Sequence, residues 1–390
     1  MDAARGTPEF HVCSQGAGIQ RIAEGCRVSR LSALPSGQVP AHPAPMPSSY
    51  VTADQLFLET ARALGKSKQQ TGFGFVAKLS DVRRGFTWNK YRGMDPVRAF
   101  GDLLFLLSFS YDGSQVYAYN KDAAIDEETG LIPNAYGPDL RDQLHGAIAS
   151  LNKSLHTTTA ILCPWRGVED QHNAYFSPND KLIEPNKMLS CQFFWDGKKL
   201  HAIVNFRTLD AWEMPYEVFT WSRMLSIVAG YVSVPPGEVQ IQAGEIHMRG
   251  REIDEEMYSE GWYDRVPPLK IDDSPMAATM ADPVGQFSDA ACVEELIRKD
   301  FKFLEHKNDL ERFFPYTTIT TCLAISYLRG VRETIKEIPA GKHLRLSKAR
   351  KVFSRILGEY CDENLSEAAI TSLWTNEQNN HKQNHPPRSR

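Results

Sequence analysis

The chain has 390 residues, of which 42% are hydrophobic and 24% charged, and its formal net charge is -4. This composition is typical of a soluble protein with enough length for one large domain or two smaller ones. The balanced charge does not support non-specific binding of nucleic acid, and no apolar run reaches the roughly 18 residues that a membrane helix needs. The amino-terminus lacks the residue order of a signal peptide, so we expect a cytoplasmic protein without membrane association.

The seven cysteines are spread along the chain without any C-x-x-C spacing. Such spacing indicates neither a disulfide framework nor a zinc site, so we expect a reducing compartment and no bound metal. The cysteines are Cys13, Cys26, Cys163, Cys191, Cys292, Cys322 and Cys361.

Composition divides the chain into four segments. Residues 1–47 are rich in Pro, Ser, Gly and Ala, which predicts disorder, and Met46 is a second candidate start. Residues 48–275 mix strand and helix patterns, whereas residues 285–375 contain few turn residues and are predicted to be helical throughout. The polar tail 376–390 is predicted to be disordered. We therefore expect an α+β domain followed by an all-helical C-terminal extension.

Capping residues and alternation predict the elements of the α+β domain in chain order. Thr52 and Gln55 form a capping box for a first helix that ends at Gly65, and "TGFGFVAKLSDV" alternates like a strand. Asp95 caps a second helix with Pro96 at its first position, and "GPDLRDQLHGAIASLNKSL" predicts another helix. The remaining predicted elements are a strand at 158–163, a hairpin at 189–208 turned by Asp196-Gly197, a helix at 216–231 and a strand near 237–247.

The stretch "NFRTLDAWEMPYE", residues 205–217, places polar and charged groups between a core strand and a core helix. Charges rarely occupy such a joint unless they are paired or hold a ligand. Two interpretations are open from these residues alone. Either the joint binds an anionic ligand, or an internal Arg207–Asp210 pair only braces the strand against the helix.

The order of several motifs between residues 85 and 271 resembles that of thymidylate synthases and the related deoxycytidylate hydroxymethylases. "AYGPDLR" precedes a long helix as the Tyr-Gly segment of that family does, and "ILCPWRGVED" resembles its strand ending in Ser-Ala-Trp-Asn-Pro. "SCQFFWDGKKL", "FRTLD" and "MPYEV" resemble the Gln-Phe hairpin, the Arg-Ser-x-Asp signature and the Pro-Phe-Asn that follows. "PPGEVQIQAGEIHMRGRE" and "VPPLKI" resemble the later Gly-Asp-x-His-x-Tyr and Pro-x-Leu-x-Ile segments. The resemblance implies a mixed sheet packed with helices, in a homodimer.

The resemblance also implies roles for individual residues. Arg207 and Thr208 would bind a nucleotide phosphate, and Asp210 would contact backbone or base. Asp102 stands where the family has the glutamate that manages proton transfer through water, and His247 would lie near the sugar. Trp165 is a core residue or a stacking surface for the ring.

Glu217 stands where the family reads uracil with an asparagine and where the hydroxymethylases have an aspartate. An ionised carboxylate can only accept hydrogen bonds, so Glu217 favours a ring that presents a donor, such as the exocyclic amine of cytosine. The alternative interpretation is a first-turn helix acid stabilised by the helix dipole.

The chain departs from the family at the nucleophile and at the phosphate site. Lys187 occupies the place of the catalytic cysteine, counted back from Gln192, and a lysine attacks only if burial lowers its pKa. Cys191 is predicted to be a buried core residue, and Cys163 on the neighbouring strand is predicted to be buried as well, with access to the cavity as the alternative. Thr158 and Thr159 replace two adjacent arginines, and Arg166 and Arg249 are candidates to rebuild the anion site; Arg249 could equally pair with Glu245.

Two classes of function follow. One is a folate-dependent one-carbon transferase, using methylenetetrahydrofolate to add a methyl or hydroxymethyl group to a pyrimidine nucleotide or related ring, with cytosine-like rings preferred over uracil. The other is a non-catalytic nucleotide-binding or scaffold descendant that binds a protein partner through residues 289–375. A weaker third hypothesis makes Lys187 a nucleophile for different chemistry on a carbonyl group.

Overall fold

The structure is a computed structural model that describes residues 49–65, 71–87, 94–119, 125, 128–132, 135–165, 186–248, 292 and 295. The predictions for residues 1–47 and for the tail 376–390 lie outside these residues. The same holds for the predicted helical extension at 285–375, apart from Cys292 and Glu295, which are both helical.

A mixed sheet with five strands forms the centre of the described part of the chain, in the order β1-β5-β4-β3-β2. β4 and β5 are parallel, and the other neighbouring pairs are antiparallel. The strand predicted at 158–163 is shorter than expected, since only Ile161 and Leu162 pair with β3. The strands are β1 Thr71–Leu79, β2 Ile161–Leu162, β3 Met188–Trp195, β4 Leu200–Asp210 and β5 Pro236–His247.

The hairpin between β3 and β4 forms at the turn that the sequence predicts. The Asp196 side chain accepts hydrogen bonds from the backbone N–H groups of Lys198 and Lys199, each at 2.7 Å. Gly197 has φ 98, a left-handed conformation that glycine adopts without steric cost. The turn fixes the register that pairs Cys191 with Val204.

Five helices surround the sheet within the described residues. The Thr52 hydroxyl accepts from the Gln55 N–H at 3.1 Å, and the Gln55 side chain accepts from the Val51 N–H at 3.2 Å, so the predicted cap forms. Asp95 caps α2 by accepting from the Val97 N–H at 2.9 Å. α3 was not predicted, because seven residues are too short to display helical periodicity. The helices are α1 Ala53–Gly65, α2 Pro96–Ser108, α3 Gly113–Tyr119, α4 Gly137–Lys153 and α5 Met214–Tyr231.

The two faces of the sheet have different environments. Along β4, alternate residues Leu200, Ala202, Val204 and Phe206 are buried on the inner face, which carries the core; α5 packs against β4 and β5. The intervening residues His201 to Arg207 are half-buried on the outer face. Within the described residues, no helix is long and apolar enough to cross a membrane.

α5 is the helix around which this core is built. Every one of its residues is buried except Glu217, which remains partly open to solvent. The turn that follows β1 packs directly on this helix, since the Arg223 side chain donates to the Val82 carbonyl at 2.6 Å. Among the residues of α5, Glu217 is therefore the one that solvent reaches.

The close approach between this turn and α5 can be tested at Gly85. A Cβ on Gly85 would lie 2.8 Å from the Ser222 Oγ and 2.9 Å from its Cβ, so we expect Gly85→Ala to lower the free energy of unfolding by about 1–3 kcal/mol. Gly146→Ala is the matched control: no atom lies within 4 Å on the exposed face of α4, and a gain of about 0.5–1 kcal/mol is expected. Urea denaturation measures both, and equal stability of the two variants would contradict the packing.

Candidate functional site

The polar side chains of the candidate site meet where β4 and β5 end and α5 begins. Two groups are formed there. The first, the carboxylate cluster, consists of Asp102 on α2 with Glu213 and Glu217 at the start of α5. The second, the strand-end group, consists of Thr208 and Asp210 on β4 and His247 on β5.

Arg98 ties two members of the carboxylate cluster together. Its guanidinium lies 3.3 Å from the Asp102 Oδ2, one turn along α2, and pairs with both oxygens of Glu213. It also stacks over the ring of Tyr216, 4.0 Å from the centroid. Burial alone would lower the pKa of Arg98, but the charges of Asp102 and Glu213 raise it overall. Arg98 thus holds the middle of α2 against the first turn of α5.

The pKa of the Asp102 carboxyl group lies close to neutral pH. Burial raises its pKa to about 6, the paired Arg98 opposes that rise, and the charges of Glu213 and Asp95 add to it. Only 26% of its side-chain surface is exposed. A carboxyl group with this pKa can both hold and release a proton near pH 7, which is the property that general acid–base catalysis requires.

The pKa of the Glu217 carboxyl group lies even closer to neutral pH. Burial, followed by the charges of Asp102 and Glu213, raises its pKa, the Lys187 charge and a hydrogen bond from Tyr136 oppose the rise, and the net pKa is about 7. The Tyr136 hydroxyl donates to Oε2 at 3.3 Å. Glu217 lies in the first turn of α5, as the alternative interpretation expects, and the helix dipole there favours the ionised form. Its raised pKa favours the protonated form.

Tyr136 is a site residue that the sequence reasoning missed. Burial and the neighbouring Glu217 and Asp102 charges raise its pKa well above the ordinary value, so its hydroxyl stays protonated and donates. The signal was available, because Tyr136 lies in "AYGPDLR", one of the segments that carry the resemblance. What the sequence lacked was the contact across to Glu217 on another helix.

Lys187 lies at the edge of the site. Its backbone carbonyl accepts from the Arg207 N–H at 2.7 Å, just before β3 begins, and its charge acts on Glu217. Lys187 is exposed, however, whereas a lysine becomes a nucleophile by burial. The position therefore favours an electrostatic role beside Glu217 over attack on a ring.

The strand-end group is assembled by the parallel register of β4 and β5, which pairs Asp210 with His247. The Thr208 hydroxyl lies 3.3 Å from His247 Nδ1, and His247 Nε2 lies 3.8 Å from the Asp210 Oδ2. The Asp210 Oδ1 accepts from the Trp212 N–H at 2.8 Å. Three groups able to bind hydroxyls thus meet on one face of the sheet.

Arg207 lies on the opposite face of β4 from Thr208 and Asp210, because side chains alternate along a strand. The predicted Arg207–Asp210 bracing pair is not formed among the described residues, and Asp210 contacts Trp212 and His247 instead. The Arg207 Nε is buried and donates to no acceptor among the described residues. A buried guanidinium nitrogen of this kind is a suitable donor for an anion.

The remaining predicted residues have different outcomes. Cys191 is fully buried opposite Val204, and burial raises the pKa of its thiol, so it is the inert core residue that was expected. Burial of Cys163 was a wrong prediction: β2 ends at Leu162, and the Gln143 amide holds the Cys163 backbone at the surface through bonds of 2.6 and 3.1 Å. Trp165 is half-buried.

Arg166 and Arg249 lie outside the described residues, so their part in an anion site stays a prediction. Thr158 and Thr159 are exposed ahead of β2, and the Thr159 hydroxyl is 2.8 Å from that of Thr157. Among the residues that the structure describes, no group of three or more His, Cys, Asp or Glu side chains could hold a metal ion.

Comparison with known proteins gives no further identification. The chain matches no protein-family model, and no curated protein matches it significantly. The chemistry of the site therefore follows from its own groups. Two carboxyl groups with pKa values of about 6 and 7 lie beside a tyrosine donor and a lysine charge, next to three hydroxyl-binding side chains. Such a set can bind a polar ring and move a proton to or from it.

The raised pKa of Glu217 predicts a pH-dependent effect of Glu217→Gln on stability. Between the ordinary value of 4.5 and about 7, the folded chain holds a proton that the unfolded chain has released. The contribution of this group is thus fully present below pH 4.5 and is lost as pH rises through 7. We expect the variant to gain up to about 3 kcal/mol over the unmodified protein at pH 8, reduced by partial solvent access, and little at pH 5. Urea denaturation of both proteins checks this, and an equal difference at the two pH values would contradict it.

Proposed function

We propose that this protein is a divergent member of the thymidylate synthase and deoxycytidylate hydroxymethylase family. In this proposal it binds a pyrimidine nucleotide and transfers a methyl or hydroxymethyl group to the ring. The observation that carries the proposal is the charge interaction between Asp102 and Glu217, two half-buried carboxyl groups whose pKa values lie near neutrality, with the hydroxyl of Tyr136 hydrogen-bonded to Glu217. Perturbed carboxyl groups of this kind are concentrated at catalytic and binding sites.

Each described group has a role in this proposal. Glu217 contacts the edge of the ring, and Tyr136 fixes the orientation of its carboxyl group. Asp102 exchanges a proton with the ring through water. Thr208 and His247 bind hydroxyls of the sugar, whereas the buried Arg207 Nε lies on the other face of β4 and takes no part in this contact.

A cytosine-like ring is preferred over uracil when Glu217 is ionised, because the carboxylate accepts from an exocyclic amine. The preference therefore belongs to pH values above about 7, the pKa of that group. Near and below this pH the neutral acid can also donate, which removes the objection to uracil.

The carbon donor rests on the resemblance alone. Methylenetetrahydrofolate would supply the carbon unit when bound, and the two-donor edge of a pterin fits a carboxylate. Glu213, the third carboxylate of the cluster, is not available for this contact, because Arg98 donates to both of its oxygens.

The second candidate function is a non-catalytic nucleotide-binding or scaffold protein. The observation that favours it concerns the two residues at and near the position of the family's nucleophile. The Cys191 thiol is buried and its pKa is raised, and the Lys187 side chain is exposed, so neither residue is activated as a nucleophile. Such a protein would work through a partner, for which residues 289–375 are the proposed contact.

A ligand panel separates these candidates in part, and His247 provides its internal control. We expect dCMP and dUMP to raise the melting temperature of the full chain by mass action, and a folate to enlarge the shift if carbon transfer is the activity. His247→Ala should weaken nucleotide binding about 2- to 10-fold, since a hydrogen bond contributes about 0.5–1.5 kcal/mol. Arg62→Ala on α1, which removes an ion pair with Glu59, should leave binding unchanged. Absence of any shift with a folded protein would contradict nucleotide binding.

The proposal includes a homodimer formed through the outer face of the sheet. This face exposes 43% of Ile161 and 41% of Val76, with Ile203 and Phe194 half-buried beside them. An acidic side chain at its centre would be desolvated on association, so we expect Ile203→Asp to convert the dimer to a monomer. Val51→Asp, which changes a residue that is 50% exposed outside the sheet, is the control. Sedimentation at micromolar concentration tests this, and a monomeric unmodified chain would contradict it.

A further inference from the structure

The outer edge of β1 is open over most of its length. Among the described residues, β1 pairs with β5 along one edge, and its other edge meets only Tyr50. An open edge offers backbone N–H and C=O groups to which another extended chain can add. β1 also carries two large apolar side chains that solvent reaches, Phe73 at 62% and Val76 at 41%. A strand along this edge would satisfy the backbone groups and cover part of the apolar surface.

Tyr50 begins such a pairing at the carboxyl end of β1. Its N–H donates to the Lys78 carbonyl at 2.8 Å, and its carbonyl accepts from the Ser80 N–H at 2.8 Å. Tyr50 is thereby bridged in parallel to Leu79. Both backbone groups of Tyr50 therefore face β1, and alternation along an extended chain makes those of Ser49 face away.

The sequence that leads into Tyr50 has a proline at every second position. These residues are Pro43, Pro45 and Pro47. Each lies an odd number of positions before Tyr50, so its nitrogen faces away from β1 if the chain continues extended. Proline has no backbone N–H and is accepted in sheets where no donor is needed, as on the outer side of an edge strand. The positions between the prolines keep the N–H groups that β1 can bind.

The same prolines restrict the backbone of this segment. A proline ring fixes φ near the value of an extended chain, and the residue before a proline is also held extended. Ala44 and Met46 both precede a proline, so these restrictions cover every position from 43 to 47. A segment restricted in this way loses less conformational entropy when it joins a sheet. The composition of residues 1–47 predicts disorder, but composition takes no account of this alternation.

We propose that the proline segment, residues 43–49, occupies the open edge of β1 as a sixth strand parallel to it. The segment is joined directly to Tyr50, so it meets this edge at a far higher effective concentration than a separate chain does. Its three prolines provide no N–H on the far side, so the new edge lacks donors through which a second copy would pair. The chain thus fills this interaction surface itself, and the sheet ends there.

The existing bridge fixes the register of this pairing. The Ser48 N–H would donate to the Val76 carbonyl, and the Ser48 carbonyl would accept from the Lys78 N–H. The Met46 carbonyl would accept from the Val76 N–H in the same way. Gly74 has φ 65, which takes the backbone of β1 out of the strand conformation, so the pairing ends at this residue.

Amide hydrogen exchange, followed by NMR on the full chain, tests this register. The N–H groups of Val76 and Lys78 face the open edge, whereas those of Ala77 and Leu79 face β5. We expect the first two amides to exchange slowly, at rates close to those of the other two. Exchange of Val76 and Lys78 at the rate of an unpaired chain would overturn the proposal. Protection that appears only as protein concentration rises would also overturn it, because a second copy would then be the occupant.

Two adjacent serines supply a matched pair of variants. Ser48→Pro removes an N–H that the pairing uses, whereas Ser49→Pro removes one that faces away and continues the alternation of prolines. We expect Ser48→Pro to speed exchange of the Val76 and Lys78 amides about tenfold and Ser49→Pro to leave it unchanged. Equal effects of the two variants would overturn the proposal. If Ser48→Pro does not fold, the rates of the unmodified chain still decide, and they do so independently of nucleotide binding.

Discussion

The sharing of one guanidinium between two helices determines the rest of this site. Arg98 contacts Asp102 on its own helix and Glu213 at the start of α5, and it lies over the ring of Tyr216 between them. This arrangement fixes the first turn of α5 relative to α2. Arg98 is thereby paired with the other two carboxylates of the cluster, and Lys187 is the cation that acts on Glu217. Burial first, and the Asp102 and Glu213 charges second, bring the pKa of this carboxyl group close to neutral pH.

The sheet supplies the second half of the site by register alone. Parallel pairing of β4 with β5 places Asp210 beside His247 and Thr208 on the same face, so one strand ending brings three polar side chains together. Alternation along β4 sends Arg207 to the other face, where Ile203 and Ile161 are also found. The two faces therefore differ in character: three polar side chains meet on one, and Arg207 lies among apolar side chains on the other.

The parts of this fold that sequence could predict are those set by neighbours in the chain. The Thr52 and Asp95 caps and the Asp196 turn depend on residues two or three positions away. The site depends on contacts across the chain: Tyr136 reaches Glu217, and Gln143 holds Cys163 at the surface. The ionisation of Glu217 is harder still to predict, because it arises from the sum of burial and several charges on three elements. The sequence shows which residue type stands at position 217, but the ionisation of that residue depends on the groups around it in the folded chain.

The central claim is that burial, together with the neighbouring charges of Asp102 and Glu213, raises the pKa of Glu217 so that it holds a proton near neutral pH. Carbon-13 NMR of the side-chain carboxyl groups, assigned with Glu217→Gln and Asp102→Asn, measures this directly in the free protein. The account predicts titration of Glu217 at a pKa of about 7 and of Asp102 at about 6. Titration of Glu217 at its ordinary value of 4.5 would contradict it, because the carboxylate would then be ionised whenever a ligand arrives.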